Sequence, residues 1–190
     1  RFYIDKRLVE PAKYGAIPPK ILPPPAQILA KLQTIASEDK KRNIIYVWGG
    51  NFRKGLPYLQ KFYPKKIKLD AYNEDYYIYR GLDCSGLLYE AANAATPRNT
   101  SELLEFGDEV EVENKTADEI ASLVKPLDLI VWPGHVIIVL DKNNVIESSQ
   151  ETGGVQVSNL TTRLVSVMNT HKPRNSAASG KDWFMVRRFV

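Results

Sequence analysis

The chain has 190 residues, 44% of them hydrophobic and 25% charged, with a formal net charge of +4. That length fits one domain with a sizeable core, and no run approaches the ~18 apolar residues of a membrane-spanning helix. The mild positive charge suits an anionic polymer, but no nucleic-acid-binding motif accompanies it. A single cysteine excludes an internal disulfide and leaves the compartment open. The first residue is Arg1 rather than Met, which leaves room for a leader removed ahead of it.

Residues 1–25 are punctuated by Pro11, Pro18, Pro19 and Pro23 to Pro25 and read as an extended arm. From Ala26 the pattern changes. Ile28, Leu29, Leu32, Ile35 and Ala36 recur at helical spacing up to about Ser37–Lys41. Asn43 to Gly50 reads as a short buried segment and a glycine turn, with Tyr46 and Trp48 taken on their own as core aromatics. Residues 51–80 are rich in Lys and Tyr without a period. They read as a long surface excursion with one or two short elements. Leu87, Leu88, Tyr89, Ala91 and Ala92 then suit a mostly buried helix that starts near Cys84. Ser101 is a candidate N-cap for a short helix ended by Gly107. Val110 and Val112 alternate with acids in an exposed strand or loop. Thr116 to Glu119 has the form of a capping box.

The second half turns to β-structure. Leu127–Trp132, His135–Leu140 and Val145–Ser149 read as strands joined by Pro133-Gly134 and by Asp141–Asn144. Val155–Val157 follows a Gly-Gly turn. A less ordered stretch with Pro173 and Ser176–Gly180 precedes a final strand, Trp183–Val190. Helices first and an antiparallel meander second give an α+β layout with the helices on one side of the sheet.

The chemistry centres on Cys84. A thiol where a turn becomes a helix sits at the positive end of the helix dipole, which favours thiolate. A cysteine nucleophile needs a base and a group that orients it. The chain has two histidines. His135 opens an apolar strand, where a site can form, whereas His171 lies in a polar, Pro-flanked stretch and reads as a solvated loop residue. Glu147, on the next strand, falls near the level of His135, with Gln150 as the alternative orienting group. Backbone N–H groups at the helix start, assisted by the Tyr46 hydroxyl, would stabilise an oxyanion. Asp83 adjoins the thiol and is unsuited as its base. Its expected role is to grip a cationic or amide group of a substrate.

These pieces resemble the NlpC/P60 family of cysteine peptidases, a branch of the papain-like superfamily. The resemblance rests on Tyr46-Val47-Trp48-Gly49-Gly50, Asp83-Cys84-Ser85-Gly86-Leu87, Pro126-Leu127-Asp128-Leu129-Ile130 (Leu127 replacing a glycine), Gly134-His135-Val136-Ile137-Ile138 and Val145-Ile146-Glu147-Ser148. It spans about residues 26–190, which would form the catalytic domain with a long insertion at 51–80 behind the arm at 1–25. It implies a papain-like α+β fold, helices packed on one antiparallel sheet, and a nucleophile at a helix N-terminus. Cys84 would be the nucleophile, His135 the base and Glu147 the orienting group. Tyr46, Trp48, Asp83 and Ser85 would line the oxyanion and stem-peptide pocket. Glu147 is a departure, since the third position in the family is more often histidine or another neutral polar residue.

The reaction implied is hydrolysis of an amide in bacterial peptidoglycan or a muropeptide, commonly between γ-D-glutamyl and a diamino acid. It needs neither metal nor cofactor. The protein would be a monomer that is secreted, periplasmic or envelope-associated. Two other readings use the same residues: a catalytically silent relative that binds cell wall through residues 51–80, and a thiol-dependent acyl or amide transferase.

Overall fold

The structure, a computed structural model, describes residues 19–40 and 43–190. Most of the expected arm, residues 1–18, lies outside the described residues. Helix α1 (Pro25–Asp39) begins with proline in its first turn, where a missing N–H costs nothing, and buries Ile28, Leu32 and Ile35 at successive turns. Ile44, Ile45 and Val47 are then buried, but Trp48 is 78% exposed, which corrects its reading as a core aromatic. Backbone bridges from Ile45 to Gly154 and from Tyr46 to Leu82 fix this segment across the molecule.

The excursion at 51–80 holds three short elements: β1 (Asn51–Phe52), α2 (Leu59–Phe62) and α3 (Ala71–Tyr77). Strand β2 (Gly81–Leu82) returns antiparallel to β1. Helix α3 is held at both ends. The Asp70 carboxylate accepts the Asn73 N–H at 2.8 Å, the Tyr77 hydroxyl donates to the Tyr63 carbonyl, and Arg80 pairs with Asp75 at 2.5 Å. Lys65 adds an ion pair to Glu74. α4 (Cys84–Ala91) follows β2 directly. α5 (Thr100–Leu103) starts one residue before the expected cap, so Asn99 rather than Ser101 holds the N-cap position. Next come β3 (Asp108–Val110) and α6 (Ala117–Leu123), whose Thr116 and Glu119 form the capping box read from the sequence.

Strands β4 (Leu129–Trp132), β5 (His135–Val139), β6 (Asn144–Ser149) and β7 (Gly154–Asn159) form the meander. α7 (Leu160–Met168), β8 (Lys172–Pro173) and β9 (Trp183–Arg188) complete the chain. The strands run in the order β3-β9-β4-β5-β6-β7 with every neighbour antiparallel, and β8 adds a two-residue parallel pairing to β9.

The helices cover both faces of this sheet rather than one. Leu129, Val131, Val136, Ile138 and Ile146 pack with α1 and α4 in one core. Ile130, Ile137, Val139 and Val145 pack with Ile120 of α6 and with Leu160, Leu164 and Val167 of α7 in a second core. This explains why His135–Leu140 is continuously apolar instead of alternating: successive side chains point to opposite faces, and both faces are buried. Helix α7 was not foreseen. Its stripe is regular, but the β-branched Thr161 and Thr162 in its first turn weaken the helical signal. Among the described residues no helix is long and apolar enough to cross a membrane.

Candidate active site

The site is built first from a locked turn. Asp83 is the N-cap of α4, and its carboxylate accepts the Gly86 N–H at 2.7 Å and the Gly49 N–H at 2.9 Å. The Asp83 N–H in turn donates to the Gly50 carbonyl at 2.9 Å. Gly86 is required here, because a Cβ would come within 1.9 Å of the Gly50 oxygen. The Gly49-Gly50 turn and the start of α4 therefore fix each other. Cys84 stands in the first turn of α4, 6% exposed, with Sγ 3.9 Å from the Gly134 carbonyl oxygen.

The second component comes from the β4–β5 hairpin. Trp132 pairs with His135, leaving Pro133-Gly134 as a two-residue connection in which Gly134 takes φ +104°. The tight turn brings His135 into the neighbourhood of Cys84, which contributes to raising its pKa. Its ring atom Nε2 lies 2.7 Å from Glu147 Oε2. Burial pulls the His135 pKa down, but the bonds to Cys84 and Glu147 and their negative charge outweigh it and lift the pKa to about 9. The imidazolium is thus the favoured form in the site.

Glu147 is wholly buried, not turned outward. Burial pushes its pKa up, yet His135 and Arg163 overcome that and hold it at about 2. Arg163 of α7 reaches across with a fork, Nε to Oε1 at 2.6 Å and Nη2 to Oε2 at 3.0 Å. Gln156, directly opposite Glu147 on β7, adds a bond from Nε2 at 3.3 Å. Gln150, the alternative orienting group, is exposed in the turn after β6. His171 is not simply solvated. Its ring packs on Trp132 at 4.9 Å, and Trp132 packs on His135 at 5.0 Å. Burial is the main cause of a lowered His171 pKa, and the nearby Arg163 and His135 charges add to it.

Tyr46, Trp48, Asp83, Cys84 and Ser85 line one open cleft of about 390 Å³, together with Arg98, Thr100 and Gly134. Tyr46 is raised above the usual phenol pKa, by burial first and then by Cys84, Asp83 and the more distant Tyr76, against a lowering effect of Arg98. Asp83 lines the cleft but is already engaged. Arg98 Nη1 donates to Oδ1 at 2.9 Å and Nη2 to Oδ2 at 2.7 Å, and the Ser85 hydroxyl bonds Oδ1 at 3.3 Å. Arg98 also donates to Ser85 Oγ at 2.8 Å. With the two backbone donors, the carboxylate that was expected to grip a cationic or amide group is engaged by donors of the chain itself.

The sequence reading gives Arg98, Gln156 and Arg163 no role in the site. The spacing of Leu160, Leu164 and Val167 behind Asn159 carries a helix signal that places Arg163 on α7, but no local pattern pairs it with Glu147.

The fold and the site together define an α+β domain in which a cysteine at a helix start faces the hairpin that carries a histidine at a strand start. The chain belongs to the NlpC/P60 family, which residues 43–172 match. Solved structures of similar layout include the P60 domain of an antigen of M. avium subspecies paratuberculosis, at 19% identity and TM-score 0.46, covering 86% of this chain and 96% of that one. The peptidoglycan hydrolase RipB from Mycobacterium tuberculosis is similar at 21% identity and TM-score 0.46, covering 88% of this chain and 69% of RipB. An NlpC/P60 family protein from Bacillus cereus matches at 15% identity and TM-score 0.48, covering 90% of this chain and 41% of that one. No curated protein matches.

Proposed function

We propose that this protein is a cysteine peptidase of the cell envelope that hydrolyses amide bonds in peptidoglycan stem peptides, with the γ-D-glutamyl–diamino acid bond as its target. The observation that carries the reading is His135, which follows the Gly134 carbonyl that Cys84 Sγ faces and is bonded through Nε2 to the buried, ionised Glu147. A structural histidine has no need of a buried carboxylate held near pKa 2. A base that must become and stay an imidazolium does.

In this mechanism the Cys84 sulfur attacks the amide carbon as thiolate, its proton already on His135. The Cys84 N–H, in the first turn of α4, and the Tyr46 hydroxyl stabilise the oxyanion. The imidazolium gives its proton to the departing amine, and the C–N bond breaks to leave a thioester. Neutral His135 then takes a proton from water as the hydroxide adds to the thioester. Collapse releases the carboxylic acid and restores the thiolate–imidazolium pair. Glu147 keeps Nε2 protonated and the ring oriented throughout.

The test is incubation of the protein and Cys84→Ala with purified muropeptides, with products identified by mass. New amine and carboxyl termini should appear with the parent protein alone. Equal cleavage by Cys84→Ala would sink the assignment.

A further inference from the structure

The insertion at 51–80 plays no part in the chemistry above, yet it holds a cavity of its own. The cavity measures about 650 Å³, within the usual range of ligand sites, and shares no lining residue with the catalytic cleft. It forms where residues 62–69 fold back on α3. The Tyr77 hydroxyl donates to the Tyr63 carbonyl, Lys65 pairs with Glu74, and the Leu56 N–H donates to the Ile78 carbonyl at 2.6 Å. These bonds fix the cavity's shape without help from a ligand. Phe62, Pro64, Leu69 and Tyr77 give it an apolar lining. Ile67 and Lys66 also line it and are exposed, Ile67 by 71%. None of the described lining residues is acidic.

Charge supplies the second observation. Residues 51–80 contain seven of the Lys and Arg residues and only three of the Asp and Glu residues. This stretch therefore carries +4, the formal charge of the whole chain. Its three acids are already engaged: Asp70 caps α3, Glu74 pairs with Lys65 and Asp75 pairs with Arg80. Lys61, Lys66 and Lys68 form no ion pair among the described residues, and all three are exposed. Lys61 stands over the Phe62 ring at 6.0 Å, and Lys68 lies between Ile67 and Leu69, so all three adjoin the cavity. A soluble polyanion would match these ammonium groups but leave the apolar lining in water. An uncharged apolar ligand would fill the cavity and leave the lysines unmatched. A lipid with an anionic headgroup satisfies both, since lysine stems lie along apolar surface while their ammonium groups reach phosphate.

We propose that residues 61–69 dock the protein on an anionic lipid surface. Lys61, Lys66 and Lys68 bind headgroup phosphates, Ile67 enters the boundary of the acyl layer, and the apolar cavity behind it receives part of an acyl chain. This is peripheral attachment, not a membrane span. It goes beyond the peptidase reading and does not depend on it, because no residue of the docking site touches Cys84 or His135.

Co-sedimentation with vesicles tests this. Vesicles of equal parts phosphatidylglycerol and phosphatidylcholine should bind the protein, and phosphatidylcholine vesicles should bind it at least roughly tenfold more weakly. Lys66→Gln/Lys68→Gln should weaken binding to the anionic vesicles roughly 30-fold, at about fivefold per lysine. Ile67→Ser should weaken it roughly tenfold through lost apolar burial. All three side chains are exposed, so circular dichroism should show both variants folded like the parent. Equal binding to both vesicle types, no binding to either, or variants that bind like the parent overturns the proposal. Soluble polyglycerol phosphate that binds the parent and Ile67→Ser equally and displaces the vesicles would make this a polyanion site and reject the lipid. A dimer by light scattering that Ile67→Ser dissolves would place a second copy on the cavity and also reject it. Muropeptide turnover without vesicles should be the same in the parent and both variants. Absence of turnover by the parent would reject the peptidase reading, while vesicle binding decides the docking by itself.

Discussion

Replacing Arg163 with methionine removes the only fixed positive charge bonded to Glu147 among the described residues. His135 Nε2 and Arg163 Nη2 bond the same oxygen, Glu147 Oε2, at 2.7 and 3.0 Å, so the two cations lie within about 6 Å of each other. At an effective dielectric near 20, that repulsion is roughly 3 kcal/mol, or about two pK units on the imidazolium. Partial screening by the carboxylate between them reduces the expected shift to about one unit. Arg163 thus restrains His135, which otherwise would have Glu147 to itself. In Arg163→Met the His135 pKa should rise above about 9. In Glu147→Gln it should fall by roughly 1–3 units, because the attracting charge is gone. The two substitutions touch one ion cluster and move the base in opposite directions.

With two histidines in the chain, proton NMR can follow both imidazoles, with His171 as an internal comparison. Under the proposed mechanism the alkaline limb of kcat/KM reports the same group, because protonated His135 donates to the leaving amine. Leaving Glu147 buried without Arg163 costs about 3–5 kcal/mol in stability. Arg163→Lys is therefore measured beside it, keeping charge without the fork, and its His135 pKa should stay near the parent's. A His135 pKa that falls or stays put in Arg163→Met would refute the reasoning and leave Arg163 a purely structural partner.

Stability should depend on pH through the same cluster. The His135 pKa rises from 6.5 to about 9 on folding, so its contribution is complete below 6.5 and lost as pH rises through 9. The Glu147 pKa falls from 4.5 to about 2, so its contribution is complete above 4.5 and lost as pH falls through 2. Unfolding by guanidinium should show the pair's full effect between these limits, and raising the pH past 9 should remove about 3 kcal/mol, a loss absent from His135→Asn. Gly86→Ala drives a Cβ to 1.9 Å from the Gly50 oxygen. It should lower the melting temperature and disorder the Cys84 turn, read as lost activity even where the protein remains folded. Leu127→Gly relieves a φ of +74° but empties a site only 2% exposed. Relief is worth about 1 kcal/mol against about 2–5 kcal/mol for the lost side chain, so the variant should be less stable by calorimetry. A net gain would show that backbone strain dominates there.

Which features the sequence exposed follows from how local their causes are. The start of helix α1 could be placed to within a residue because its apolar stripe and the prolines ahead of it lie within a short run of the chain. The β4–β5 hairpin was equally plain, since Pro133-Gly134 between two apolar runs has few other uses. Both elements carry the side chains most easily singled out, and the hairpin alone fixes His135. What could not be read depends on distant pairings. Arg98 lies 15 residues from Asp83, in the connection between α4 and α5, and Arg163 lies 16 from Glu147, on a different element. A lone arginine among threonines or asparagines looks like any solvated surface residue until the fold brings a buried acid to it. The exposure of Trp48 was hidden for a related reason. Its neighbours Val47 and Gly50 are buried, and only the glycine turn's geometry swings the indole out to the cleft. The two arginines change the chemistry more than any residue the sequence offered. One fills acceptor sites of Asp83 and ties it to Ser85 in the wall of the cleft. The other holds Glu147 ionised, and it is this buried charge that raises the pKa of His135 beside it.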